Sequence, residues 1–419
     1  MRFIVLAVLA LTAVLFAGCG PSAQSSPAKD NASAESPAET TAVITIRANV
    51  PDDTPTVYLV GNLPELGPWD PGAFSMEGEG RERTAVLNAP AGHVLQYKFT
   101  LGSWEREALG PSGTIMPNFT LTVEDGAAVS HDLSGFGADP EAFINDPEGA
   151  AVEGRLVYWK DVSSKHLSET RHVVTWLPPG YDNNPEKRYR VIYMSDGQNI
   201  FDPRLAYTGV DWGVDEAVMR GVRNELYDPV IIVGVWNTVR RVPEYSPWHD
   251  GPDYGRFVVE ELMPRVNEEF RTLTGPENTF HMGSSMGGLI SFYLVNAYPD
   301  VFGACGCVST HFTLSEAMLA GFLGGDQTNA DETPYILRDI ENGAGIPEGV
   351  RYYFDYGTKG LDAFYEPPHL AVAQWLREQG LEEGEDFVMR KYEGADHNEA
   401  SWRARADDPL RFLLAPKAD

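Results

Sequence analysis

The residues Phe280-His281-Met282-Gly283-Ser284-Ser285-Met286-Gly287-Gly288-Leu289 set Gly-x-Ser-x-Gly between an apolar strand pattern and a helical one. That junction limits the fold more than any other stretch of the chain. A bare Gly-x-Ser-x-Gly arises often by chance, but here the flanks supply the strand, sharp turn and helix that lift a serine hydroxyl above a sheet. The small residues Gly283 and Gly287 allow the turn, and Ser285 sits at its apex. The N–H of Met286, opening the helix, points to where a tetrahedral oxyanion would form.

A serine hydroxyl is a weak nucleophile until a base takes its proton, so the pattern calls for a histidine and an acid to orient it. His397, in Gly394-Ala395-Asp396-His397-Asn398, follows the last predicted strand and precedes a terminal helix. Strand 352–356 leads into Gly357-Thr358-Lys359-Gly360-Leu361-Asp362, and a carboxylate just past a strand end can reach over the sheet's carboxyl edge. Asp362 is therefore the first candidate acid. Asp355, inside the strand, is the second, and Asp396 reads as a turn former beside His397. Serine, acid, histidine is the chain order of the α/β-hydrolases.

The surrounding sequence fits that order. Beyond Arg155, apolar runs at 172–177, 189–194, 230–235, 279–282, 304–308, 352–356 and 387–392 alternate with amphipathic segments such as 254–270, 289–298 and 370–379. Alternation of this kind predicts a mostly parallel sheet covered by helices on both faces. Trp212, Trp236, Trp248 and His311 fall at strand ends or loops on the active face, where they are candidates for a pocket wall or for core aromatics. Cys305 and Cys307 lie two apart in one short strand, poorly placed to bond each other, and read as packing residues.

The N-terminal third is different. Met1-Arg2 and the apolar run to Phe16 form an export signal too short to span a bilayer, ending in Leu15-Phe16-Ala17-Gly18-Cys19, which resembles a bacterial lipobox. Cys19 is then the lipidation site, with a Pro/Ser/Ala tether over 20–42 that cannot form a core. These features predict an exported, lipid-anchored protein of the cell envelope, with the outer membrane and the cell surface both open. Residues 43–133 alternate apolar and polar positions between Pro, Gly and Asp turns, which predicts an all-β sandwich. A linker over 134–154 separates it from the catalytic part, 155–419. With 32 Lys and Arg against 61 Asp and Glu, the net charge of −29 repels phosphate backbones and excludes a nucleic-acid binder.

Two resemblances sharpen this reading. The stretch from Arg155 to Leu414 resembles the esterase D-like family of α/β-hydrolases, through Trp176-Leu177-Pro178-Pro179-Gly180-Tyr181, Ser195-Asp196-Gly197-Gln198-Asn199, Val233-Gly234-Val235-Trp236-Asn237, the Ser285 motif and His397-Asn398-Glu399. That family includes enterochelin esterases and esterases acting on carbohydrate-bound acyl groups such as ferulate or acetate. The resemblance implies Ser285 as nucleophile, His397 as base, an acid in the 357–362 loop, and Gln198 or a neighbour as the second oxyanion donor. The longer 357–362 loop departs from the commonest family forms and leaves the acid's identity open. The β-domain, through Val57-Tyr58-Leu59-Val60-Gly61-Asn62, Gly67-Pro68-Trp69-Asp70, Tyr97-Lys98-Phe99 and Gly102-Ser103-Trp104-Glu105, resembles the family 20 starch-binding modules, which are immunoglobulin-like. There Trp69, Trp104 and Lys98 would form a glucan platform.

The expectation is thus an α/β-hydrolase fold preceded by an all-β immunoglobulin-like sandwich, acting as a serine esterase on carbohydrate-linked acyl esters near a glucan. No cofactor or metal is called for, since neither HExxH nor a ligand cluster stands out. An enterochelin-type siderophore ester hydrolase and a non-catalytic surface glucan binder are the alternatives.

Overall fold

Alternation of buried and exposed side chains begins at Thr41, where Ala42, Ile44, Ile46 and Ala48 turn inward from strand β1 (Thr41–Asn49). The computed structural model describes residues 41–416, apart from positions 68, 111–114, 117, 324–326 and 328–329. The expected export signal, Cys19 and nearly all of the expected tether lie outside the described residues. The expected boundary at residue 43 moves two residues earlier, because Thr41 and Ala42 already pair with Pro90 and Ala89.

The first part of the described chain is built of short strands. β1 lies between β3 (Glu82–Pro90) and β7 (Ala128–Asp132), and β4 (Val94–Thr100) lies between β2 (Tyr58–Gly61) and β6 (Phe119–Thr122). The inward side chains of both sheets, among them Ile44, Leu87, Leu59, Leu95 and Phe99, share one apolar cluster. A two-stranded sheet pairs β5 (Ala108–Leu109) with β8 (Gly135–Phe136). The stretch expected to be a plain linker is more ordered than that. It carries β8 and a helix, Pro140–Ile144, whose Ile144 is buried in an apolar cluster with Val174, Trp176 and Ile192, while Asp146 accepts a hydrogen bond from Arg204.

The part from Arg155 on holds an eight-stranded sheet in the order β16-β15-β14-β13-β11-β12-β10-β9. Its strands are β9 (Arg155–Val162), β10 (Arg171–Leu177), β11 (Val191–Ser195), β12 (Ile231–Val235), β13 (Thr279–Ser284), β14 (Ala304–Val308), β15 (Arg351–Tyr356) and β16 (Phe387–Lys391). From β12 to β16 neighbours run parallel, and only β10 breaks the pattern by pairing antiparallel with both β9 and β12. Each central strand is buried on both faces. Val191 and Tyr193 join one apolar cluster and Ile192 and Met194 the other, as the two-residue period of a strand requires. Cys305 and Cys307 share one face and are free thiols; their Sγ atoms are in contact at 2.7 Å, so the spacing does not hold them apart.

β9 was not legible as a strand because it is an edge: only Leu156 and Trp159 are buried in a run that includes Arg155, Lys160 and Asp161. The helix expected over 254–270 is three joined segments, Gly251–Arg256, a π-turn Phe257–Leu262 and Met263–Glu269. Pro264 has no N–H to give the carbonyl four residues back, and the widened turn sits just ahead of it. Among the described residues no helix is long and apolar enough to cross a membrane.

Candidate active site

Ser285 stands between β13 and the helix Met286–Ala297 with φ 56° and ψ −124°, a conformation that costs a non-glycine residue about 1–3 kcal/mol. The surroundings hold it there. Its N–H donates to the Val308 carbonyl at 3.0 Å, and its own carbonyl accepts from His311 N–H and Leu289 N–H, each at 3.1 Å. A Cβ on Gly283 would stand 2.6 Å from the Gly287 carbonyl oxygen, so the turn closes only with glycine at that position. The Met286 N–H is at the first helical position, where no intrahelical acceptor exists.

His397 follows β16 by six residues, held by a bond from its N–H to the Asp396 carboxylate at 2.8 Å. Its Nδ1 lies 2.6 Å from Asp362 Oδ1. Asp362 also accepts from the Ser309 hydroxyl and the Gly357 N–H, each at 2.6 Å. Burial pushes the Asp362 carboxyl up, but the bonds from His397, Ser309 and Gly357 outweigh it and hold the group below the ordinary carboxylate range. Asp355 shares Ser309 with Asp362 but is otherwise held by Tyr353 and Arg405. It is fully buried and accepts from Ser309 N–H at 2.9 Å, Tyr353 O–H at 3.0 Å and Arg405 at 3.1 Å.

Ser285 and His397 line one cavity of about 890 Å³. Gln198 lines it too, from the turn Gly197–Asn199 just past β11, and its side-chain oxygen accepts from the Asn237 N–H at 3.3 Å. Asp196, one turn earlier, is fixed by Arg241 at 2.7 and 2.8 Å and by Asn237 at 2.6 Å. The remaining predicted residues line the same cavity: Trp69 from a turn, Lys98 from β4 and Trp104 from a short 3-10 helix, Trp104–Arg106. The two indoles are half-buried, 6.4 Å apart and tilted by 31°. Lys98 is less free than a platform lysine should be, because its ammonium is tied to the buried Glu107 carboxylate and to the Met116 carbonyl at 2.9 Å.

Of the two readings open for four aromatic residues, pocket wall or core, packing is the one observed. Trp212, Trp236, Trp248 and His311 are not among the residues lining the cavity. Trp212 packs 5.4 Å from Trp402, Trp236 meets His172 edge-on, and Trp248 stacks on Tyr335 while donating to Asp339. His311 is buried with its Nδ1 2.5 Å from the Tyr365 hydroxyl, and burial pushes its pKa down to about 3. Sequence reasoning missed the residues that join the site together. Ser309 and Arg405 link the two carboxylates, and Trp402 lines the cavity and meets His397 edge-on at 5.1 Å. None of these contacts follows a local spacing.

Among the described residues, Asp211, Asp215 and Glu216 lie close enough together to share an ion. Arg403 already bridges Asp211 and Glu216 at 2.7 Å each, and burial together with Glu216 pushes Asp215 up to about 8. Two of the three carboxylates are thus already paired with a guanidinium.

A family model described as "Putative esterase" matches residues 164–413. The chain is 32% identical over 280 residues to the uncharacterized protein YjcH of Bacillus subtilis (strain 168), covering 63% of this chain and 100% of YjcH. It is 37% identical over 87 residues to an alpha-amylase of Niallia circulans, 20% of this chain. It spans only 7% of that amylase and 62% of a further B. subtilis relative, YbbA. A solved ferulic acid esterase is 20% identical, with 63% of this chain and 98% of that one aligned at a TM-score of 0.49.

Proposed function

The chain belongs to the esterase family, and on that premise we propose that it is an exported serine carboxylic-ester hydrolase acting on carbohydrate-linked acyl esters. The observation that carries this reading is the set of contacts at one cavity: Ser285 and His397 on its wall, with His397 Nδ1 on Asp362. In the proposed reaction Ser285 attacks the ester carbonyl while His397 takes its proton through Nε2. Asp362 holds Nδ1–H and stabilises the imidazolium. The N–H groups of Met286 and Gln198 receive the developing oxyanion. His397 then protonates the departing alcohol, and water, deprotonated by the same imidazole, releases the acid.

The experiment is a screen of the purified protein on acetylated, feruloylated and catecholate esters. Turnover of the sugar-linked acetates or feruloyl esters above the catecholates supports the reading. Preference for the catecholate esters would instead support an enterochelin-type hydrolase.

The β-domain reads as a carbohydrate-binding sandwich. Support comes from the paired indoles of Trp69 and Trp104, whose flat faces suit the apolar side of a pyranose ring. Migration in a native gel containing amylose should be retarded, and Trp104→Ala should remove most of the retardation. Equal migration of the two proteins would take the platform out of the account.

The charged and apolar stretch before Cys19 supports export, and several acyl chains on Cys19 would anchor the protein stably. Cys19→Ala should move the protein from the membrane fraction to the soluble one. Unchanged fractionation counts against lipidation.

A further inference from the structure

We propose that the tryptophan pair of the β-domain is a subsite of the catalytic cavity rather than a separate anchoring surface, so that the sugar side of the scissile ester binds on Trp69 and Trp104. The inference rests on the esterase reading above and names its substrate: an acylated, soluble oligosaccharide of glucan type.

Three observations carry it. The first is continuity, since Trp69, Lys98 and Trp104 line the same cavity as Ser285, His397 and Trp402. A module that only tethers an enzyme to a polymer has no need to open onto the serine. The second is size. About 890 Å³ is near the top of the range of roughly 300–1,000 Å³ typical of small-molecule sites, which leaves space for an acyl group together with a short glycosyl chain.

The third is a buried polar bridge that fixes the two walls against each other. Glu107, on the β-domain and only 2% exposed, accepts from the Tyr207 hydroxyl of the catalytic part at 3.0 Å and from the Lys98 ammonium. Burying a carboxylate is unfavourable unless it is paired and hydrogen-bonded, so Lys98, Glu107 and Tyr207 hold as a set or not at all. The lysine expected to touch sugar thus positions the tryptophans relative to Ser285. A rigid wall matters here because a sugar bound on it orients the ester carbonyl at the nucleophile, converting binding into rate.

In the reaction so placed, the bond between the acyl carbon and the sugar oxygen breaks. That oxygen leaves with the proton carried by His397, while Ser285 keeps the acyl group until water removes it as the acid. The sugar alcohol remains on the indoles until it dissociates.

The test compares two substrates with one acyl group on the full-length protein: acetylated maltotriose and p-nitrophenyl acetate. Trp69→Ala and Trp104→Ala should each lower the ratio of kcat/KM for the sugar ester to that for the aryl ester by at least tenfold, and Trp→Phe at either position should restore part of the ratio. Unesterified maltotriose should compete with acetylated maltotriose in the parent protein. A ratio unchanged within twofold, or absence of competition, overturns the shared subsite even if amylose retardation persists, because a distant platform would give that result. Failure of the parent protein to hydrolyse either ester overturns the esterase reading itself, and this inference with it.

Discussion

Ser285→Ala is expected to lower kcat for p-nitrophenyl acetate by at least about 10⁴-fold, the scale on which a serine hydrolase loses activity when only its oxyanion donors and binding groups remain. The fold should survive the change. Alanine keeps the Cβ, so the strained φ of 56° is neither relieved nor worsened, and the hydrogen bonds at its backbone N–H and carbonyl are untouched. What is lost is one hydroxyl, a stability change of no more than about 1 kcal/mol. Rate assays and thermal melts on the same preparation therefore separate the two effects. A variant that melts normally and retains a tenth of the parent rate would remove Ser285 from the chemistry and direct attention to another nucleophile in the cavity.

The part of the site that was legible from sequence is the part written in local chemistry. A strand, a turn of small residues and a helix can be read together at Gly283 to Gly287, and the order serine, acid, histidine, together with a place after the last strand and before a terminal helix, singles out His397 among nine histidines. The alternating strands and helices likewise announce the parallel sheet, because residues buried on both faces leave apolar runs such as Ile231–Val235. Edge strands and long-range polar contacts leave no such trace. β9 carries charged residues on its open side, and Ser309 reaches Asp362 across 53 positions and Arg405 across 96. Aromatic residues at strand ends misled for a related reason. Trp236 directly follows β12 and Trp402 lies in the helix Glu399–Arg403, but only the packing decides that the first is sealed against His172 and the second opens onto the cavity. The joining of the tryptophan pair to the serine was equally invisible, since it depends on how two separately readable parts meet.

The choice between the two acids is open to a paired experiment, because Asp362 and Asp355 are both buried near Ser309 but bear on different partners. Asp362→Asn should lower kcat by about 10⁴-fold, since an amide facing Nδ1 favours the wrong imidazole tautomer while leaving the geometry in place. Asp355→Asn should act on stability instead. It leaves the Arg405 guanidinium, 4% exposed, without the carboxylate at 3.1 Å, and breaking a buried pair in this way costs about 3–5 kcal/mol. The folded fraction of that variant should turn over substrate within a few-fold of the parent. The pH dependence gives an independent check on Asp362. Its folded pKa lies below the unfolded value of about 3.9, so its contribution to stability is complete above about pH 4 and is lost as pH falls through the lower folded value. Because asparagine does not titrate, the melting-temperature difference between the parent and Asp362→Asn should be constant above pH 4 and shrink below it. A difference that grows on acidification, or a 10⁴-fold rate loss in Asp355→Asn with Asp362→Asn fully active, would transfer the orienting role to the carboxylate inside the strand.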